Sequence, residues 1–141
     1  MGKKKFYDTC SLLAEIDNDN LFAERFYVSS TSLHELEHIK TSKNKTEDIK
    51  YKARKLSHLL DEHYNDYDVV VYNFEISDYI IGILGLDATI PDNQIVGTAK
   101  HISEKEDVVF ITNDICLKNI ARYLGLDVCS VVGKEEILRY L

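Results

Sequence analysis

No stretch of this chain approaches the roughly 18 consecutive apolar residues that a bilayer-spanning helix needs, so the expectation is a soluble protein with no membrane partner. Its three cysteines, Cys10, Cys116 and Cys129, are odd in number and form no C-x-x-C pair. That removes both a disulfide framework and a structural zinc site, and it fits a reducing cytoplasm. The opening MGKKKFYDTCSLL has a basic cluster but no long apolar stretch after it, so nothing in it reads as an export signal. Internal repeats and low-complexity tracts are lacking, and proline occurs once. Positive charge is also short: 17 Lys and Arg stand against 24 Asp and Glu, a formal charge of −7, which argues against a protein that coats nucleic acid by bulk attraction.

What remains is ordinary globular material, 45% hydrophobic and 29% charged over 141 residues, enough for one domain spanning 1–141 to bury a core without staples. The charge is uneven. Lys40, Lys43, Lys45, Lys50, Lys52, Arg54 and Lys55 fall within sixteen positions that hold only Glu47 and Asp48 as acids, so an acidic chain carries one basic stretch.

Short runs rich in aromatic and β-branched residues (KKFYD, RFYVSS, DVVVYN, DVVFITN, DVCSVV) alternate with segments of helical period. That alternation is the signature of βαβ units around a parallel sheet and predicts five strands. Between Thr46 and Tyr64, Ile49, Ala53, Leu56 and Leu60 form one apolar stripe, which predicts a helix after the polar connector TSKNKT. Pro91 suits the first position of a helix through Ile95, Ala99 and Ile102, because proline there gives up only a donor that is free anyway. Gly125 is placed to end the helix ICLKNIARYL in a left-handed turn, with Tyr123 near its last turn expected in the core. The final GKEEILRYL reads as a short terminal helix.

Ligands of open parallel sheets bind beyond the carboxyl ends of the strands, so acids at the strand exits are the candidate chemistry. Asp8 ends the first strand, Glu35 lies about a helical turn past the second, Asp114 follows the fourth, and Asp92 opens the helix that leads back to the fourth. Each has a plainer reading. Ser32 and Glu35 form the S-x-x-E of a capping box, Asp92 and Asp114 suit helix N-termini, and Asp8 suits a turn. Capping, however, gives no reason for acids to gather at one edge. Two carboxylates about 4 Å apart repel by roughly 4 kcal/mol at an effective dielectric of 20, and a hard divalent cation relieves this. The expected cofactor is therefore Mg²⁺ or Mn²⁺ held by Asp8, Glu35, Asp92 and Asp114, a set suited to phosphodiester hydrolysis.

One motif competes. HELEH, residues 34–38, matches H-E-x-x-H, in which two histidines bind zinc and the glutamate serves a protease as base. The extended form fails, since Thr41 and Asn44 stand where glycine and a third histidine belong. A distant Glu62 could complete the site, but the protease reading leaves Asp8, Asp92 and Asp114 unexplained. His34 and His38 are expected at the surface. An aspartyl phosphotransferase also loses a required group: Cys10 stands where the second aspartate of the haloacid-dehalogenase type belongs, and receiver domains need an aspartate after the third strand, where this chain reads VVVYNFE.

From Lys4 to about Val132 the chain resembles the PIN-domain ribonucleases. FYDTCSLL is similar to the family's first-strand motif, SSTSLHELEHIK to its second block with the acid at Glu35, PDNQIVGTAKHI to its third with Asp92, and FITNDICLKNIA to its fourth with Thr112 and Asp114. The last two look most like PIN domains attached to PhoH-type ATPases. The resemblance implies an α/β/α sandwich of three layers around a mainly parallel sheet, and a Mg²⁺- or Mn²⁺-dependent endoribonuclease whose catalytic and metal-binding residues are Asp8, Glu35, Asp92 and Asp114. Cys10 departs from the pattern, and a small apolar packing role is the expectation for it. Single-stranded RNA is the expected substrate, with contacts from Thr9, Thr112, Asn113, Lys118 and Arg122 and from Lys50, Lys52 and Lys55 of the basic stretch. A homodimer and an antitoxin are partners the family allows, in a toxin or an RNA-processing role. The alternative is a PIN-like module that binds RNA or protein with little catalysis.

Overall fold

A computed structural model of the protein describes residues 2–131. The terminal helix expected in GKEEILRYL lies outside them. Five strands, β1 (Lys4–Tyr7), β2 (Tyr27–Ser29), β3 (Asp68–Val70), β4 (Val108–Ile111) and β5 (Asp127–Cys129), form one sheet in the order β3-β2-β1-β4-β5. Every pairing is parallel. Each strand falls inside one of the five apolar runs.

Alternation along the strands builds a three-layer α/β/α fold, because successive side chains point to opposite faces. Phe6 and Phe110 pack on one face with Ile95, Val96, Ala99, Leu117 and Ala121, while Tyr7 and Ile111 face the other with Leu12, Leu36, Ala53, Leu56 and Leu60. The first face is covered by α5 (Pro91–Ser103) and α6 (Ile115–Tyr123), the second by α1 (Thr9–Ala14), α2 (Ser30–Thr41) and α3 (Glu47–Glu62). Removing a Leu or Phe side chain from water in these cores contributes roughly 1.5–3 kcal/mol each.

Local signals explain the helix ends. Thr46 caps α3, its hydroxyl accepting from the Ile49 amide at 3.3 Å, and Ala53, Leu56 and Leu60 of the expected stripe are buried. Pro91 is the first residue of α5. Gly125 takes φ 85° after α6, and the Leu126 amide reaches back to the Ala121 carbonyl at 2.9 Å, the bond that closes a helix through a left-handed residue.

Some expectations fail. Ser29, not Ser32, caps α2, accepting from the Thr31 amide at 3.1 Å. The helix starts where β2 ends, so Ser32 lies buried inside it and Glu35 is beyond the first turn, which rules out the capping box. Tyr123 is 84% exposed, on the outer side of α6. Helix α4 (Phe74–Tyr79) and the π-helical turn Ile80–Leu84 that continues it were not foreseen. Ile80 is fully buried against α5 at Gly97, where an added Cβ would stand 2.4 Å from Ile80 Cγ1. Among the described residues no helix is long and apolar enough to cross a membrane.

Candidate active site

The chain passes from β1 to β2 and β3 on one side, then returns through α5 to β4 and β5 on the other. The switch point is therefore between β1 and β4, which pair Tyr7 with Ile111. Asp8 and Thr112 are the next residues on the two strands. Asp8 begins α1 as its N-cap and is buried; its Oδ1 accepts from the Ser11 amide at 2.8 Å and its Oδ2 from the Thr112 hydroxyl at 2.5 Å. Asp114 caps α6, Oδ1 accepting from the Leu117 amide at 2.9 Å, while its own amide donates to Thr112 Oγ1 at 3.1 Å. One buried hydroxyl thus fixes both aspartates.

Glu35 reaches the same edge from α2. The Thr9 hydroxyl donates to Glu35 Oε1 at 2.6 Å and lies 2.9 Å from Ser32 Oγ. Since the Thr9 proton goes to the carboxylate, the Ser32 hydroxyl is the donor in that second contact. Asp92 sits in the first turn of α5, where the helix dipole favours a negative charge.

The four acids share one electrostatic neighbourhood. Burial raises the Glu35 carboxyl above its ordinary pKa, Thr9 opposes this, and Asp92 and Asp8 add to it. Burial also raises Asp92, followed by Asp114 and Asp8. Cys10 feels the charge of all four: its thiol is pushed up by burial, then by Asp8, Glu35, Asp92 and Asp114. Cys10 and Asp92 are both open to solvent on one side. Protein on their other sides still limits hydration, and like charges push in the same direction. Cys10 is therefore a protonated thiol at the mouth of an acidic centre, not the packed apolar residue expected.

The donors are all oxygen, which suits a hard dication. Among the described residues no three His, Cys, Asp or Glu side chains are gathered tightly enough to hold an ion by themselves. Hydrogen bonds to Thr112, Ser11 and Thr9 tie Asp8 and Glu35 back to the protein. Mg²⁺ commonly keeps several waters and takes only one or two carboxylates together with substrate phosphates, so the centre fits a hydrated, shared ion and not a closed cage.

The expected substrate contacts divide. Thr9 and Thr112 are buried and spend their hydroxyls on Glu35 and Asp8, so they position acids. Asn113 accepts from the Val131 amide at 2.7 Å and holds the chain after β5. Lys118 is half-buried and Arg122 exposed on α6. Lys50 and Lys52 pair with Glu47 and Asp48 of their own helix, and Lys55 with Asp17. His34 and His38 are exposed and, with Glu35, line a cavity of about 540 Å³ that also includes Lys45, Tyr72, Pro91 and Gln94. Sequence reading passed over Lys45; its only signal was membership of the basic stretch.

A parallel sheet with acids at its switch point defines the class. The family model of the PIN domain matches residues 6–132, and the chain belongs to the PIN-domain family. The likeness of its third and fourth blocks to PhoH-linked members rests on the sequence alone. No curated protein matches the chain. Three solved structures share the fold. One is VapBC2 from Rickettsia felis bound to a DNA fragment from their promoter, at 18% identity and TM-score 0.57, covering 89% of this chain and 97% of that one. Another is a domain of a functionally unknown protein from Methanocaldococcus jannaschii, at 19% identity and TM-score 0.61, covering 96% and 95%. The third is FitAB bound to the IR36 DNA fragment, at 14% identity and TM-score 0.55, covering 92% and 99%.

Proposed function

We propose that this PIN-domain protein is a cytoplasmic Mg²⁺- or Mn²⁺-dependent endoribonuclease acting on single-stranded RNA. The observation that carries the reading is geometric: at the switch point of the sheet the Thr112 hydroxyl joins Asp8 and Asp114, and Thr9, next to Asp8, holds Glu35. Asp8, Glu35, Asp92 and Asp114 would hold the ion, which when bound supplies activation of water and offsets charge on the leaving oxygen. The rest falls to the chain itself. Thr112 keeps Asp8 and Asp114 in register, Thr9 turns Glu35 toward the centre, and the protonated Cys10 adds no further negative charge against the incoming phosphate.

A toxin role with an antitoxin partner is compatible with the likeness to VapBC2 and FitAB, which shows a shared fold only; an RNA-processing role is equally compatible. The test is Mn²⁺-dependent cleavage of a fluorescent single-stranded RNA by the purified chain. Activity lost in both Asp8→Asn and Asp114→Asn supports the reading. Equal activity in both variants assigns the cleavage to a contaminant and overturns it.

A further inference from the structure

We propose that the cavity beyond Glu35 is the groove that holds the single RNA strand leaving the acidic centre, with Lys45 gripping one of its phosphates. This rests on the nuclease reading and names the substrate-holding part of the same site. Glu35 belongs to both places: its carboxylate is tied to Thr9 at the acidic centre, and its side chain forms a wall of the cavity. The cavity therefore adjoins the acidic centre through Glu35.

Charge and position together select Lys45 from the basic stretch: Lys43 and Arg54 also pair with no carboxylate among the described residues, but neither lines the cavity. Lys40, Lys50, Lys52 and Lys55 are each paired with a carboxylate, from Glu37, Glu47, Asp48 and Asp17. A lysine already neutralised by a neighbour gains little from a phosphate, because it must give up one partner for the other. Lys45 pairs with no carboxylate among the described residues, and it is the lysine of that stretch that lines the cavity. Beside four acids, a polyanion needs such a cation, and the loop between α2 and α3 supplies it.

Shape selects a single strand. About 540 Å³ is the size of a small-molecule site and takes one nucleotide with its base turned out, which a base-paired duplex does not offer. Tyr72, His34 and His38 give the walls flat rings against which a base can stack. The floor is already built: Gln94 Nε2 donates to the Ala88 carbonyl at 2.8 Å, and the Thr31 hydroxyl donates to Gln94 Oε1 at 3.0 Å. No buried polar group there waits for the ligand to satisfy it.

The experiment measures binding of a short fluorescent single-stranded RNA by anisotropy without divalent ion, across a salt series, and then Mn²⁺-dependent cleavage, for the full chain and its variants. Lys45→Gln is expected to weaken binding about tenfold, the size of one charge-assisted hydrogen bond. It should reduce the slope of log affinity against log salt by about 0.7, as one lost phosphate contact on a single strand does. KM should rise with kcat nearly unchanged, and Lys45→Arg should restore binding. The triple variant Lys50→Gln, Lys52→Gln, Lys55→Gln should keep the wild-type slope. If the wild type cleaves and Lys45→Gln matches it in affinity and slope, the groove is overturned and the nuclease stands. If the slope depends on Lys45 but the wild type does not cleave, the groove stands and the nuclease fails. Duplex RNA competing as well as single-stranded RNA overturns the groove.

Discussion

The Thr112 hydroxyl donates to Asp8 Oδ2 at 2.5 Å, joining residues 104 positions apart in the chain. The same oxygen accepts from the Asp114 amide, so one side chain locks two of the four acids. Thr112→Val keeps the shape and removes both bonds. It should destabilise the protein by about 1–3 kcal/mol in urea unfolding, the cost of leaving buried polar groups unpaired. It should also slow Mn²⁺-dependent cleavage about 10- to 100-fold, as loss of an orienting partner does at metal sites. Thr112→Ser should retain most of both. Wild-type behaviour in Thr112→Val would mean that the bond contributes nothing.

Carboxylates that repel one another at this centre should be relieved by a dication, whether or not RNA is present. At an Mn²⁺ concentration about 100 times its dissociation constant, stabilisation of about 2.7 kcal/mol should raise the melting temperature by roughly 5–10 °C. Asp8→Asn with Asp92→Asn should abolish the rise, and a chelator should reverse it in the wild type. A melting curve indifferent to Mn²⁺ would remove the ion from the reading.

Gly97 of α5 admits the side chain of Ile80 where a Cβ would stand 2.4 Å from Cγ1. Gly97→Ala is expected to overpack this contact and cost about 1–3 kcal/mol, read by thermal or urea unfolding. Ile80→Val in the same chain should recover part of that loss, a coupling that a double-mutant cycle measures directly. Simple additivity would show that the helices separate freely. Because α5 carries Asp92, the single variant should also lower cleavage.

Asp68 begins the edge strand β3 and is held by Arg25 and Lys4, with Arg25 Nε at 3.0 Å and Lys4 Nζ at 2.6 Å from Oδ2. These partners, Arg25 first, lower its carboxyl below the ordinary value. A lowered folded-state pKa gives stability that is present above the unfolded value and lost as pH falls through the folded one. Asp68→Asn should therefore be less stable than wild type at neutral pH, by no more than about 1 kcal/mol because the group is partly exposed. The two unfolding curves should converge as pH falls below the ordinary aspartate range. A gap that stays constant down that range would assign the difference to packing.

Much of this was readable in one dimension, since strands and helices differ in period and parallel sheets put their ligands at the carboxyl edge. The acid positions Asp8, Glu35, Asp92 and Asp114 could be picked out because three of them follow a strand and the fourth opens a helix returning to one. The segment from Phe74 to Leu84 could not. Its apolar residues fall on all sides, Phe74 and Ile83 being exposed while Ile76 and Ile80 are buried, so no period distinguishes helix from strand. Ser29 rather than Ser32 caps α2 because pairing with Val70 of β3 fixes where β2 ends, which is a property of the sheet.

The sequence by itself determined the order and type of most elements, the two apolar faces of the sheet and the supply of acids at its edge, because these follow from side-chain period and composition. Tertiary structure alone decided which of those groups meet. It set Thr112 under Asp8, brought Thr9 against Glu35, and paired Lys55 with Asp17 while leaving Lys45 to line the cavity. Contacts between residues far apart in the chain depend on how strands are ordered and helices docked, and no local pattern records that.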